Sequence, residues 1–66
     1  MNNTIKIQRA IKNLTQEELA NLIGVSRQTI NSIENDRYVP STVLALKLSK
    51  VFGISVNEIF ELDDED

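Results

Sequence analysis

The connection between the second and third amphipathic segments of the chain is only three residues long. Gly24, Val25 and Ser26 separate a segment that ends at Ile23 from one that begins at Arg27. A glycine in this position ends a helix, and a serine accepts hydrogen bonds from the free amides of a first helical turn. Two helices joined so tightly have to cross steeply. The rest of the fold must be built around this steep pair.

Capping signals and the spacing of apolar residues predict five helices. Thr15 with Glu18, and Ser55 with Glu58, have the spacing of a capping box at the start of a helix. The predicted helices are about Thr4–Lys12, one that starts after Thr15 and runs to Ile23, Arg27–Asn35, one that opens at Pro40 and Ser41 and ends before Gly53, and a short one after Ser55. No segment alternates long enough to be a convincing strand. The predicted fold class is therefore all-α, a compact five-helix bundle.

Apolar positions that share a helix face predict the core. On the second helix they are Leu19, Leu22 and Ile23, and on the third they are Ile30 and Ile33. The last two helices add Leu44, Ala45, Leu48, Val51, Phe52, Val56, Ile59 and Phe60.

The third predicted helix carries hydrogen-bonding side chains opposite its apolar residues. They are Arg27, Gln28, Asn31, Ser32 and Asn35. A helix face that only meets water is usually rich in Glu and Lys, which form helices more readily than Asn and Ser. Arg reads guanine, Asn and Gln read adenine, and Ser can read either. A merely solvated polar face is the alternative, but the residue types favour a base-reading surface.

Composition excludes several kinds of chemistry. The 66 residues include no Cys and no His, so disulfides, thiolate or histidine metal sites and a serine-histidine triad are ruled out. The carboxylates lie in predicted first turns or near the C-terminus, and so small a domain has little room for a substrate pocket. We expect no enzymatic activity, no cofactor and no small-molecule ligand. Because no signal peptide or apolar run of spanning length is present, we expect a cytoplasmic location without a membrane partner.

The net charge of −3 is distributed unevenly. Residues 1–40 hold five lysines and arginines against four carboxylates, whereas residues 41–66 hold two against six. Most of the acid lies in the final residues, and a terminal charge run is usually a solvated end. We expect one domain over residues 1–62 and an acidic tail over residues 63–66. The acidic total therefore does not argue against DNA binding by the third helix.

Three stretches of the chain carry a family resemblance. They are "LTQEELANLIGVSRQTINSIEN", "YVPS" and "ALKLSKVFGISVNEIFEL". Together they resemble the Cro and phage-repressor type (XRE-like) helix-turn-helix family of transcription regulators, over about residues 5–62. The resemblance implies a lambda repressor-like DNA-binding domain with its helix-turn-helix unit at about residues 15–35. It also implies that the chain binds double-stranded operator DNA as a homodimer, and we expect a repressor.

The resemblance further implies roles for individual positions. The positions that read bases in the major groove are matched by Arg27, Gln28 and Ser32, with Asn31 on the same face at a less consistently used position. A phosphate-binding position at the start of the second helix is matched by Gln16. The positions that bind the DNA backbone after the third helix are matched by Asn35, Arg37 and Tyr38.

Helix one gives two conflicting predictions. The resemblance implies a buried salt bridge between Arg9 and Glu34, which would tie helix one to the end of helix three. Periodicity alone predicts the reverse, because Ile7, Ala10 and Ile11 form an apolar stripe and leave Arg9 exposed. The two charges would then be unrelated surface groups. We follow the family placement, which leaves two isoleucines without an obvious cover.

Asp36 stands where the family usually has glycine. The resemblance implies that the chain needs a positive φ at this position, a conformation that Asp tolerates better than most residues. We therefore expect a left-handed residue after the third helix.

Dimerisation is expected for three reasons. A chain of 66 residues has a thin stability margin, Ile7 and Ile11 on helix one have no cover, and Val43 and Leu46 lie outside the main apolar arc of helix four. The interface candidates are Ile7, Ile11, Val43, Leu46, Phe60 and Leu62. A two-fold dimer predicts an inverted-repeat operator.

Two alternatives to a transcriptional regulator stay open at this point. A DNA-binding antitoxin, which also neutralises a separate toxin protein, shares this kind of domain. A protein-interaction bundle with a degenerate DNA face would carry Glu or bulky apolar residues on the polar face of helix three, and this chain carries Arg, Gln, Asn and Ser there.

Overall fold

The computed structural model describes all 66 residues, Met1–Asp66, as five helices and one short pair of strands. In chain order the elements are β1 (Asn2–Asn3), α1 (Ile5–Lys12), α2 (Gln16–Ile23), α3 (Arg27–Glu34), α4 (Thr42–Phe52), α5 (Val56–Ile59) and β2 (Phe60–Glu61). The prediction of five helices is confirmed, with ends that differ by a residue or so. None of these helices has the length and apolar character that crossing a membrane requires.

Local hydrogen bonds explain where the helices of the central pair begin and end. The Thr15 hydroxyl accepts from the Glu18 N–H at 3.0 Å, and the Thr15 N–H donates to the Glu18 carboxylate at 2.9 Å. This capping box starts α2, and Gly24 ends it with a φ of +74°. The Ser26 hydroxyl accepts from the Thr29 N–H at 3.1 Å and starts α3. The three-residue connection is therefore formed as predicted.

The all-α prediction is wrong in one detail. Strands β1 and β2 pair antiparallel, with Asn2 opposite Glu61 and Asn3 opposite Phe60. Strands of two residues are too short to show the alternation by which a sequence predicts them. They pair because both ends of the chain run extended past a helix, where their backbone groups need partners.

Eleven apolar side chains form one core between the helices. They are Ile5, Leu19, Ala20, Ile23, Ile30, Ile33, Leu44, Leu48, Phe52, Ile59 and Phe60. The prediction that Leu22 belongs to the core is wrong, since its side chain is 60% exposed. On α2 the buried arc is centred between Leu19 and Ala20, and at about 100° per residue Leu22 lies roughly 110° from that centre.

Helix α1 follows the family placement and not its own periodicity. Ile5 is fully buried, whereas Ile7 and Ile11 are 60% and 69% exposed. Among the other interface candidates, the side chains of Val43, Leu46 and Leu62 are exposed as well. Phe60 differs from these candidates: it is 8% exposed, because it belongs to the core, and only its edge reaches the surface.

Candidate nucleic-acid interface

The outer face of α3 presents the four side chains predicted to read bases, which lie next to one another and are called the base-reading row below. Arg27, Gln28 and Asn31 are exposed and Ser32 is half-buried. The two isoleucines on the opposite face of the helix are at most 1% exposed, which fixes the rotation of α3 about its axis. All four predicted base-reading residues therefore lie together on one side of α3, opposite its buried isoleucines.

A shallow cleft joins this face to the loop that follows α3. It is lined by Ser26, Gln28, Thr29, Ser32, Arg37 and Tyr38. Thr29 is the residue in this cleft that sequence reasoning missed. Its hydroxyl lies 2.9 Å from the Ser26 hydroxyl, so it supports the start of the helix. The sequence signal that could have identified Thr29 is its position three residues after the N-cap residue Ser26. The cleft places the predicted loop residues beside the predicted base readers.

Gln16 lies at the start of α2, on the other side of the base-reading row. It lines a second cleft together with Arg27, between the end of α1 and the start of α2. Its side-chain amide is half-buried and donates to Glu34 Oε1 over 3.3 Å. A side-chain amide has two N–H groups, so one remains for an outside acceptor. A phosphate at this helix N-terminus would also meet unpaired backbone amides.

The structure joins Arg9 and Glu34 through two parallel hydrogen bonds. Arg9 Nε lies 2.7 Å from Glu34 Oε2, and Arg9 Nη2 lies 3.0 Å from Glu34 Oε1. Arg9 Nη1 also donates to the Leu14 carbonyl oxygen at 3.0 Å. The side chains are 15% and 7% exposed, and the carboxylate raises the pKa of the Arg9 guanidinium. This pair ties α1 to the C-terminal end of α3 and so holds α3 in place against the rest of the fold.

The turn after α3 has a left-handed residue at Asp36, where φ is +59°, as predicted. The Asp36 N–H donates to the Ile33 carbonyl at 3.0 Å, and the Arg37 N–H donates to the Ser32 carbonyl at 2.9 Å. This is the Schellman arrangement that commonly ends a helix. It turns the chain so that exposed Arg37 follows α3 directly.

The side chain of Asn35, a predicted phosphate contact, is hydrogen-bonded within its own helix turn. Its amide nitrogen donates to the Asn31 carbonyl oxygen at 2.8 Å and to Asn31 Oδ1 at 3.3 Å. Both N–H groups of Asn35 therefore serve the end of α3. A phosphate accepts hydrogen bonds, so a contact from Asn35 would require this amide to rearrange.

Two arginines near the base-reading row carry positive charge that the fold leaves free. Arg27 and Arg37 are exposed and form no ion pair within the chain. By contrast, Arg9 is neutralised by Glu34. The free cations thus lie at the two ends of the α3 face, where they suit a polyanion.

Comparison with known proteins agrees with this geometry. A protein-family model described as helix-turn-helix matches residues 5–59. An HTH-type transcriptional regulator of Methanocaldococcus jannaschii is 50% identical over 66 residues, which cover 100% of both chains. The HTH-type transcriptional regulator YgzD of Bacillus subtilis is 43% identical over 98% of both chains.

Solved structures show the same architecture. The restriction-modification controller protein C.AhdI from Aeromonas hydrophila is 34% identical and superposes with a TM-score of 0.77, over 85% of each chain. The clp gene regulator ClgR from Corynebacterium glutamicum is 30% identical with a TM-score of 0.75, over 82% of this chain and 57% of that one. The chain therefore belongs to the XRE-type helix-turn-helix family of DNA-binding transcriptional regulators.

Proposed function

We propose that this chain is a repressor that binds a specific operator as a homodimer, with α3 in the major groove. The observation that carries the proposal is the unbroken row of four polar side chains on the solvent face of α3. These residue types match the hydrogen-bonding patterns of base edges. Buried isoleucines hold the row rigidly, so the helix can enter the groove without first becoming ordered.

Base reading and phosphate binding are assigned to different groups. Arg27, Gln28 and Ser32 read bases, and Asn31 adds a contact on the same face. Phosphate contacts come from Gln16 at one end of the row and from Arg37 and Tyr38 at the other end. Phosphate contacts fix the register of a protein on the duplex, whereas base contacts supply sequence preference.

A regulatory role is supported by what similar proteins are named for. One is the ImmF control region 10 kDa protein of Bacillus phage phi105, 38% identical over 53 residues, which cover 80% of this chain and 59% of that protein. Another is the restriction-modification controller already described. Repression requires only that the bound protein occupy a site needed for transcription. DNA binding through the α3 face is sufficient for this, and no chemical reaction is needed.

The test is a selection of bound sequences from a pool of random DNA, followed by affinity measurements. We expect an enriched inverted repeat. Gln28→Ala should lose about 1 to 3 kcal/mol on the selected duplex and relax the preference at one base position. Arg37→Ala should weaken binding to all duplexes alike and flatten the salt dependence.

Lys50→Ala is the matched control, because this exposed lysine lies on α4 and lines neither cleft. It should bind as the wild type does. If Gln28→Ala also bound the selected duplex like the wild type, α3 would not be the base-reading element.

A further inference from the structure

The side chain of Asn3 connects strand β1 to the end of α3. Its amide nitrogen donates to the Ile33 carbonyl oxygen at 2.9 Å and to Asp36 Oδ1 at 3.0 Å. Its amide oxygen accepts the backbone N–H of Ile5 at 3.1 Å. Both donors and the acceptor of this amide are therefore used to hold three parts of the chain together.

Strand β1 is also held in place by β2 and the end of α5. Its pairing with β2 sets Asn3 opposite the core residue Phe60. The next residue, Thr4, donates its N–H to the Ile59 carbonyl at 2.8 Å and its hydroxyl to the Glu58 carbonyl at 3.0 Å. The Asn3 side chain thus starts from a fixed backbone and can restrain the turn that it contacts.

The restrained turn is the one that leads into the DNA-facing loop. Asp36 adopts the left-handed conformation, where glycine is easier to accommodate. A glycine in this position would leave Asn3 without its carboxylate acceptor. Exposed Arg37 follows directly and belongs to the cleft beside the base-reading row. The direction in which Arg37 leaves the backbone therefore depends on the turn that Asn3 holds.

We propose that Asn3 and Asp36 form a clamp that positions Arg37 for a DNA phosphate, so that Asn3 raises DNA affinity without touching DNA. This inference rests on the proposed function, in which Arg37 contacts the backbone. Binding fixes flexible groups at an entropic cost, and a turn that is already ordered in the free protein lowers that cost. Asn3 is thus a positioning residue that acts through Arg37.

A double-mutant cycle tests whether Asn3 acts through Arg37. Affinities are measured for wild type, Asn3→Ala, Arg37→Ala and the double variant, on the duplex that the wild type selects and on a mixed-sequence duplex. Asn3→Ala should weaken binding to both duplexes by about threefold to tenfold, which corresponds to the net contribution of the single Arg37–phosphate hydrogen bond that it misplaces. In the Arg37→Ala background the same change should have no effect. Asn2→Ala is the matched control, because Asn2 lies on the same strand and its exposed side chain makes no hydrogen bond.

A second pair of variants keeps the test independent of folding defects. Asp36→Gly removes the acceptor but suits the left-handed turn, whereas Asp36→Asn removes the same charge and keeps an acceptor oxygen. Asp36→Gly should be at least as stable as Asp36→Asn and yet bind DNA more weakly. A purely structural role would instead make affinity follow stability.

The clamp is overturned if Asn3→Ala weakens binding equally with and without Arg37, or if the two Asp36 variants bind alike. Failure of the proposed function has a different result, because the wild type would then select no sequence from the random pool.

Discussion

Arg9 and Glu34 show how much a single charged pair contributes to this small core. The pair is nearly enclosed, and Glu34 also accepts a bond from Gln16. Replacing Arg9 with Met would leave the carboxylate without a counter-charge, so we expect a loss of about 3 to 5 kcal/mol in the free energy of unfolding. Urea unfolding followed by circular dichroism measures the loss.

Lys6→Met is the control for this pair, because Lys6 is exposed on the same helix and forms no ion pair. Its change should stay within about 0.5 kcal/mol. A double variant, Arg9→Met with Glu34→Met, should recover part of the lost stability, since no unpaired charge remains. A loss below about 1 kcal/mol in Arg9→Met would mean that the pair behaves as an exposed one.

The exposure of individual site residues could be predicted where it depends only on the rotation of the helix about its axis. The α3 face follows from the angular positions of Ile30 and Ile33, so Arg27 and Gln28 had to lie outside. Asn35 could not be predicted in the same way. Whether its amide turns to solvent or back to the Asn31 carbonyl depends on how the helix ends, which the order of residues does not settle.

At the scale of elements, the sequence predicted where helices begin and end, but it did not always predict which face of a helix is buried. The capping box of Thr15 with Glu18, and Gly24, act within a few residues, so their sequence signal is complete. Which face of α1 is buried depends on residues that are distant in the sequence. Arg9 pairs with Glu34 on α3, and this contact turns the Arg9 side of α1 inward. Its apolar stripe through Ile7 and Ile11 is therefore exposed, against the periodicity.

The capping box of α2 predicts an acid-sensitive contribution to stability. The backbone N–H of Thr15, with its hydroxyl as a second cause, lowers the pKa of Glu18 below its ordinary value of 4.5. Because the folded-state pKa is the lower one, the stabilisation is fully present above the unfolded-state value. It is lost as the pH falls below 4.5 and through the folded-state pKa.

Glu18→Gln should therefore reduce the acid dependence of the melting temperature relative to the wild type. Glu17→Gln is the matched control, since this neighbouring glutamate makes no hydrogen bond to Thr15 and its replacement should leave that dependence in place. Thermal melts across roughly pH 3 to 6 make the comparison. Identical curves for wild type and Glu18→Gln would contradict the assigned role.

At the scale of the molecule, the path of the chain could be predicted well and its outer surface less well. Short connections and caps leave few ways to arrange five helices, and the motif from Thr15 to Asn35 limits them further. The β1–β2 pair carries no sequence pattern of its own, because only backbone groups form it. The same is true of a subunit interface, where the exposed apolar residues indicate candidates and do not choose between them.

Two groups of exposed apolar residues, one on α1 and one on and beside α4, are large enough to compare, and we expect the α4 group to form the homodimer. Leu46 lines an apolar groove with Val39, Pro40 and the edge of Phe60, and Val43 lies one turn before it. Ile7 and Ile11 on α1 have no such groove, since they form an isolated stripe. To meet an inverted repeat, the two-fold contact has to place the two α3 helices about one DNA turn apart, roughly 34 Å.

Leu46→Glu should therefore yield a monomer that binds a single half-site weakly, because half of the phosphate and base contacts are lost. Ile7→Glu is the matched control at an equally exposed isoleucine, 60% against 58%, and it should remain a dimer. Sedimentation at micromolar concentrations, with DNA affinity on one and two half-sites, distinguishes the outcomes. If Ile7→Glu alone dissociated the protein, the interface would lie on α1. If the wild type sedimented as a monomer and bound one asymmetric half-site tightly, the two-fold arrangement would be wrong, and with it the expectation of an inverted repeat.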